Sequence, residues 1–247
     1  MGSQCVILAG GLGTRMRPAT DAIPKALLPV NGVPFVDHQL RWLSAHGVDE
    51  AVLSIGHLGW MLRDHVGDGA RFGLRARWVD EGTDLRGTAG ALRLTLDEGV
   101  LAERFLVTYG DSYLPIDFAA VADAFARSGA PALMTVFRNE GRWDGSNCVL
   151  EGGNVHYDKW RRDPAVAARM AHIDYGLSAL RRDVVAERVP SGTRADLADL
   201  FHALSVEMRL AAFEVFTRFY EIGSPQGLAD LEDYLSQTCG SPPGRVP

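Results

Sequence analysis

The chain predicts a three-layer α/β/α fold of the Rossmann-like, doubly wound kind, with a mixed but mostly parallel sheet. Three observations carry this. Apolar runs alternate as strand, helix, strand, helix, strand through Val79, the order that gives a parallel sheet with helices on both faces. A glycine cluster closes the first of these strands. Further polar, glycine-bearing turns follow later strands, at the edge where such a sheet opens its ligand crevice.

Cys5-Val6-Ile7-Leu8 is a short apolar run with β-branched residues, and it reads as a buried strand. After Pro24-Lys25 comes a short extended segment, 26–30, turned by Asn31-Gly32. Pro34-Phe35-Val36 opens a helix with Leu40, Trp42 and Leu43 at helical spacing, and Gly47 ends it. Residues 51–55 form the second strand, Trp60 to His65 a second helix, and 74–79 an alternating third strand. The loop 80–90 leads into helical residues 91–94, and the strand 104–108 delivers Tyr109-Gly110-Asp111-Ser112. A helix at 118–126 and a strand at 132–137 precede a hairpin, 147–151 and 155–157, turned by Gly152-Gly153-Asn154. Helices follow at 183–188 and 196–204, then a strand at 210–216. Ser224-Pro225 starts the last helix, with Ser as N-cap and Pro at the first helical position, and Leu228, Leu231, Tyr234 and Leu235 form one stripe. The expectation is one domain, 1–239, followed by a flexible proline- and glycine-rich tail, 240–247.

With 247 residues, 47% of them hydrophobic, the chain is large enough for a full core. A net charge of -6 argues against a general nucleic-acid or membrane-surface binder, either of which would want a basic face. No run approaches the ~20 apolar residues of a membrane span, and a core strand starts close to Met1, so a cytoplasmic location is expected. Cys5, Cys148 and Cys239 show no metal or redox pairing and read as reduced thiols. Of the 25 basic residues only Lys25 and Lys159 are lysines, which marks both as positions that require a compact ammonium.

The first loop, Leu8-Ala9-Gly10-Gly11-Leu12-Gly13-Thr14-Arg15-Met16-Arg17-Pro18, has glycines that let backbone N–H groups face phosphate oxygens, and Arg15, Arg17 and Lys25 add positive charge. A plain turn is the bland alternative, and neither the Walker A spacing nor the dinucleotide fingerprint is met. The second loop, Asp80 to Gly90, places amides at a helix N-terminus, where a capped helix start is the alternative. Asp111 at a strand tip is by itself either a turn former or a functional acid.

The order Gly-Gly-Leu-Gly-Thr-Arg, then Arg-Pro, then Pro-Lys, resembles the signature of the sugar-nucleotidyltransferases, the nucleotide-sugar pyrophosphorylases. That resemblance implies the nucleotide-diphospho-sugar transferase fold. It also implies a Mg²⁺-dependent reaction in which a sugar 1-phosphate attacks the α-phosphorus of a nucleoside triphosphate and pyrophosphate leaves. On it, Leu8, Gly10, Gly11, Gly13, Thr14 and Arg15, with Asp84, Gly87 and Thr88 of the second loop, bind the nucleotide. Arg15 neutralises the β- and γ-phosphates and Lys25 balances charge at the α-phosphate, so both count as catalytic. Gly110-Asp111 resembles the family's metal-binding aspartate, and Glu221, in Glu-Ile-Gly-Ser-Pro, stands where many members carry an aspartate, so Asp111 and Glu221 would hold the metal. Asp158-Lys159 resembles the pair that grips the acceptor, the lysine on its phosphate and the acid on the sugar hydroxyls. The segment 171–177 resembles the sugar-pocket segment, with Asp174 and Gly176 shaping the site. His172 and His202 read as packed histidines.

Tyr-Gly-Asp-Ser-Tyr and Ile-Asp-Tyr-Gly-Leu-Ser look most like the heptose or mannose 1-phosphate guanylyltransferases, which makes GTP the first choice. Uridylyl, thymidylyl, adenylyl or cytidylyl transfer and a cyclitol phosphate acceptor stay open. A nucleotide-sugar-binding regulatory protein without catalysis is the alternative of another class, disfavoured because Arg15, Lys25 and both acids are present. A glycosyltransferase would show Asp-x-Asp where Asp111-Ser112-Tyr113 stands. Apolar surface expected on the hairpin and the last helix would suit a homodimer.

Overall fold

The computed structural model describes residues 3–238. Cys239 and the expected tail lie outside the described residues. The fold is the mixed α/β one expected, and the chain forms two compact units.

The first unit takes the chain up to Leu85, then Thr108–Phe118, then the chain from Phe219 on. Its strands Ser3–Leu8, Val48–Ile55 and Arg75–Asp80 pair in parallel, side by side in that order. Cys5, Val6, Val52, Leu53 and Val79 are fully buried, which is why these strands read as continuous apolar runs. The helices Phe35–Ala45 and Gly59–Val66 connect them. Short elements that the sequence pattern does not reveal also form: single helical turns at Thr14–Met16 and Lys25–Leu27, and a two-residue ladder of Ser112–Tyr113 with Tyr220–Glu221. The last helix, Pro225–Thr238, buries Leu231 and Leu235 against Val30, Phe35, Tyr113 and Ile222. Its apolar stripe is therefore covered within the chain.

The second unit holds 86–107 and 119–218. His172–Arg181 pairs antiparallel with Ala132–Arg138, which pairs in parallel with Leu210–Val215. The hairpin Cys148–Glu151 and Asn154–Tyr157 forms as expected, with Gly152 and Gly153 at φ +55° and +80°, the signs a two-residue turn of this twist demands. His202 lies against the Tyr157 carbonyl at 2.8 Å and His172 against Glu214 at 3.1 Å, so both histidines are structural. Cys5 and Cys148 are buried free thiols, and burial pushes both well above the ordinary thiol range.

Among the described residues the large exposed apolar side chains are Leu12, Trp60, Trp143, Trp160, Val206, Met208 and Phe216, and none of these lies on the hairpin or the last helix. Among the described residues no helix is long and apolar enough to cross a membrane.

Candidate active site

In the first unit the functional side chains gather because two chain segments meet without side-chain bulk between them. The Ser3–Leu8 strand runs into the glycine loop, and Gly110 N–H donates to the Leu8 carbonyl at 2.9 Å. A Cβ on Gly110 would stand 2.7 Å from Ala9 Cβ and 2.9 Å from Ala9 Cα. Gly110 is thus the residue that lets Asp111 reach the first loop. The buried amide of Gln39, from the helix Phe35–Ala45, donates to the carbonyls of Tyr109 at 2.8 Å and Ser112 at 2.9 Å, bracketing Asp111 from behind. Gly110 and Gln39 were not singled out for these roles from the sequence, since each depends on a partner far along the chain.

Lys25 opens its own helical turn, and its Nζ donates to Asp111 Oδ2 at 2.5 Å, with both side chains under one-fifth exposed. Arg15 joins them. A Cβ on Gly223 would lie 3.1 Å from an Arg15 Nη2 and 3.7 Å from Asp111 Oδ2, so guanidinium, carboxylate and ammonium converge on that glycine. Gly13 takes φ +63° to cap the turn that carries Thr14 and Arg15, and Thr20 Oγ1 donates to its carbonyl at 2.9 Å. Gly11 has no atom within 4 Å of its Cβ position and faces open space, whereas a Cβ on Gly10 would meet Glu81 Oε1 at 2.5 Å. Glu81, nearly buried, therefore lies directly over the first loop, and Ser54 Oγ donates to the same oxygen at 3.4 Å. Leu8 is the strand residue before the loop, and Asp84 is exposed.

Glu221 pairs with Ser112 in the short ladder, and Ile222 N–H donates to the Asp111 carbonyl at 2.9 Å. The backbones of Asp111 and Glu221 are thereby adjacent. Among the described residues no cluster of three or more His, Cys, Asp or Glu forms. Two hard-oxygen carboxylates suit an ion that completes its shell with phosphate oxygens and water, as Mg²⁺ does, and not a closed structural site.

In the second unit, Gly87–Asp97 is a helix, so the expected amide-bearing N-terminus exists. Much of it is committed to the chain: Ala89 and Gly90 N–H donate to the Ala195 carbonyl, and Thr88 Oγ1 bonds Asp196 at 3.0 Å and accepts from Leu197 N–H. A Cβ on Gly87 would stand 2.5 Å from Ala195 O, so that glycine permits a close backbone approach. Asp158 is buried and its carboxylate accepts the amides of Trp160 and Arg162, while Lys159 is exposed with its ammonium 5.1 Å above the Trp160 ring. Asp174 and Gly176 sit where His172–Arg181 slips register against Ala132–Arg138, and Gly176 takes φ +99°. That bulge turns the Gly176 N–H onto Asp174 Oδ1 at 2.9 Å, while Asn147 Oδ1 accepts the Asp174 N–H at 2.9 Å.

Burial raises the Asp174 carboxyl to about 6, against the opposing pull of the Gly176 amide and the Lys159 charge. Lys159 and Asp174 thus feel each other. An acid whose folded pKa is raised binds its proton in the folded state through a window, from about 4 to 6, where the unfolded chain has released it. Stability should therefore fall as pH rises through that window, by at most about 3 kcal/mol from a two-unit shift. Asp174→Asn should remove this dependence and be the more stable form at pH 8. Urea midpoints at pH 4.5 and 8 check it, and a wild type that gains on the variant at the higher pH would contradict it.

The chain matches the model of the MobA-like NTP transferase domain over residues 5–200. It belongs to that family. UTP–glucose-1-phosphate uridylyltransferase of Synechocystis is 29% identical to this MobA-like chain over 213 residues, 81% of it and 55% of that protein. Mannose-1-phosphate guanylyltransferase of Mycobacterium tuberculosis is 28% identical over 236 residues, 92% of this chain and 64% of that one. The chain therefore spans between half and two thirds of the length of these curated relatives. Among solved structures, HddC from Yersinia pseudotuberculosis complexed with GMP-PN superposes with a TM-score of 0.73 at 22% identity, covering 94% of this chain and 99% of that one. The MobA-like domain here has the nucleotide-diphospho-sugar transferase fold.

Proposed function

We propose that this chain transfers a nucleotidyl group from a nucleoside triphosphate, GTP by preference, to the phosphate of a heptose or hexose 1-phosphate. The observation that carries the reading is the convergence of Arg15, Lys25 and Asp111 beside the glycine loop. Two cations and one carboxylate at a loop of free backbone space match a triphosphate and its counter-ion. The named activities of the relatives differ in nucleotide and sugar but share this transfer.

In the proposed step an acceptor phosphate oxygen forms a bond to the α-phosphorus as the bond to the β-phosphate oxygen breaks, and pyrophosphate leaves with the electron pair. Such transfer asks for positioning and charge neutralisation, with no covalent nucleophile. Gly10, Gly11 and Gly13 cradle the triphosphate and Arg15 meets its β- and γ-phosphates. Lys25 exchanges its Asp111 partner for the α-phosphate. Asp111 and Glu221 would hold Mg²⁺, which supplies charge neutralisation at the phosphates. In the second unit Lys159 takes the acceptor phosphate, and Asp174 and Gly176 take its sugar. A cytoplasmic enzyme with small-molecule substrates, and no nucleic-acid or membrane partner, fits this reading.

The preference for GTP is tested by turnover of five nucleoside triphosphates with one acceptor: kcat/KM for GTP about tenfold or more above the others is expected, and equal or higher turnover of another nucleoside triphosphate would remove it.

A further inference from the structure

The helix Gly59–Val66 and the strand Arg75–Asp80, both in the first unit, enclose a cleft that shares no residue with the site around Asp111. Residues 60, 63, 64 and 67 keep the three- and four-residue spacing that puts side chains on one face of a helix, and residues 76 and 78 share one face of the strand. That strand is the outermost of its sheet. Trp60, Arg63, Asp64, Asp68, Ala76 and Trp78 line the cleft, whose volume is about 640 Å³, within the range of small-molecule sites.

The walls of the cleft are tied together from behind. Trp78 Nε1 donates to the Gly67 carbonyl at 3.1 Å, and the Ala76 N–H donates to the Asp68 carbonyl at 2.7 Å, which holds the strand to the end of the helix. Gly69 permits that approach, since a Cβ there would stand 2.7 Å from the Ala76 nitrogen. The polar groups in front are left uncommitted. Trp60 is 67% exposed, and Arg63 and Asp64 are exposed beside it on the same helix. The nearby Arg71, Arg75 and Arg77 are paired with Asp37 or Glu50, whereas among the described residues neither Arg63 nor Asp64 enters an ion pair.

This set of groups selects a ligand class. Arg63 stands against Asp64 and Asp68, one positive charge against two negative, so a polyphosphate meets net repulsion. A hydroxyl both donates and accepts, and a guanidinium that only donates beside a carboxylate that only accepts matches a pair of neighbouring hydroxyls. An indole face, negative in its quadrupole, attracts the weakly positive C–H groups of a ring that is apolar on its face and polar at its rim. A pyranose is such a ring, and indoles from two different elements offer two platforms. We propose that the cleft binds a neutral saccharide of two or more pyranose rings, with ring faces on Trp60 and Trp78 and neighbouring hydroxyls on Arg63 and Asp64. The site is separate from that of the acceptor sugar and does not rest on the nucleotidyl-transfer reading.

Calorimetry and saturation-transfer NMR with neutral di- and trisaccharides of glucose, mannose and galactose test this on the full chain. At least one should bind the wild type, and Trp60→Ala should weaken it by about tenfold. Trp60→Phe, which keeps an aromatic face, should recover most of the affinity. Asp64→Asn, which turns one acceptor oxygen into a donor, should weaken the same saccharide by a similar factor. Both side chains are exposed, so the variants should keep the wild-type thermal midpoint. Binding by none of the saccharides would overturn the proposal. So would an affinity that neither Trp60→Ala nor Asp64→Asn changes, because the saccharide would then sit elsewhere. Free guanosine or uridine bound in place of every saccharide, and lost in Trp60→Ala, would overturn it in favour of a nucleobase site. A dimer seen by sedimentation that Trp60→Ala dissociates, with no saccharide bound, would overturn it in favour of a second copy of the chain.

Discussion

Lys25→Ala should lower kcat by about a hundredfold or more while changing the KM for the nucleoside triphosphate little. The ammonium lies 2.5 Å from Asp111 Oδ2, in a spot where both side chains are under one-fifth exposed, so its field is weakly screened by water. Removing one preorganised donor from a site of developing phosphoryl charge costs about 3–4 kcal/mol in other enzymes, and each 1.36 kcal/mol is about tenfold in rate. The loss falls on kcat because charge at the α-phosphate grows during bond exchange, whereas ground-state affinity for the triphosphate is shared with Arg15 and the glycine amides. Lys25→Arg is the informative companion. Its planar guanidinium keeps the charge but not the compact reach, and it should recover only part of the rate. Steady-state kinetics of both variants decide the point, and near-normal kcat in Lys25→Ala would remove Lys25 from the reaction.

Gly110→Ala should be the second large effect, although Gly110 carries no chemistry. Its Cβ would lie 2.7 Å from Ala9 Cβ and 2.9 Å from Ala9 Cα, atoms attached to the loop backbone that cannot swing aside. The chain must separate the two segments, which weakens the Gly110 N–H bond to Leu8 and carries Asp111 away from Lys25 and Arg15. Overpacking of this kind costs about 1–3 kcal/mol of stability, and a displacement of about 1 Å at a reacting centre can cost about a hundredfold in rate. Gly11→Ala is the control for stability, because nothing lies within 4 Å of its Cβ position. Thermal unfolding should show a clear drop for Gly110→Ala and almost none for Gly11→Ala. A Gly110→Ala protein with the wild-type midpoint and rate would mean that the two segments are free to separate.

The sequence was most legible where chemistry and local pattern coincide. The glycine loop, Arg15, Lys25 and Asp111 could be named because strands end there and because their order resembles the sugar-nucleotidyltransferase signature, with the scarcity of lysine adding weight to Lys25. The strand and helix positions followed from apolar periodicity, as with the parallel strands Val48–Ile55 and Arg75–Asp80 and the helix Phe35–Ala45. What was hidden depends on contacts distant in sequence. Gln39 brackets Asp111 from a helix more than 70 residues away. Thr88 is occupied by Asp196, 108 residues on, a bond no local pattern encodes. Asp158 reads as an acceptor ligand because an acid beside a lysine resembles one, whereas its burial and its bonds to the two amides that follow it in the chain are invisible to that pattern. The apolar stripe of the last helix was visible and its destination was not: it covers Val30, Phe35 and Ile222.

Nucleotidyl transfer is tested most directly by identifying the leaving group. Incubation with GTP, Mg²⁺ and a panel of heptose and hexose 1-phosphates should release one pyrophosphate for each nucleotide sugar formed, with Lys25→Ala strongly impaired in both. Release of orthophosphate, or no pyrophosphate with any pairing of nucleoside triphosphate and sugar 1-phosphate, would contradict it.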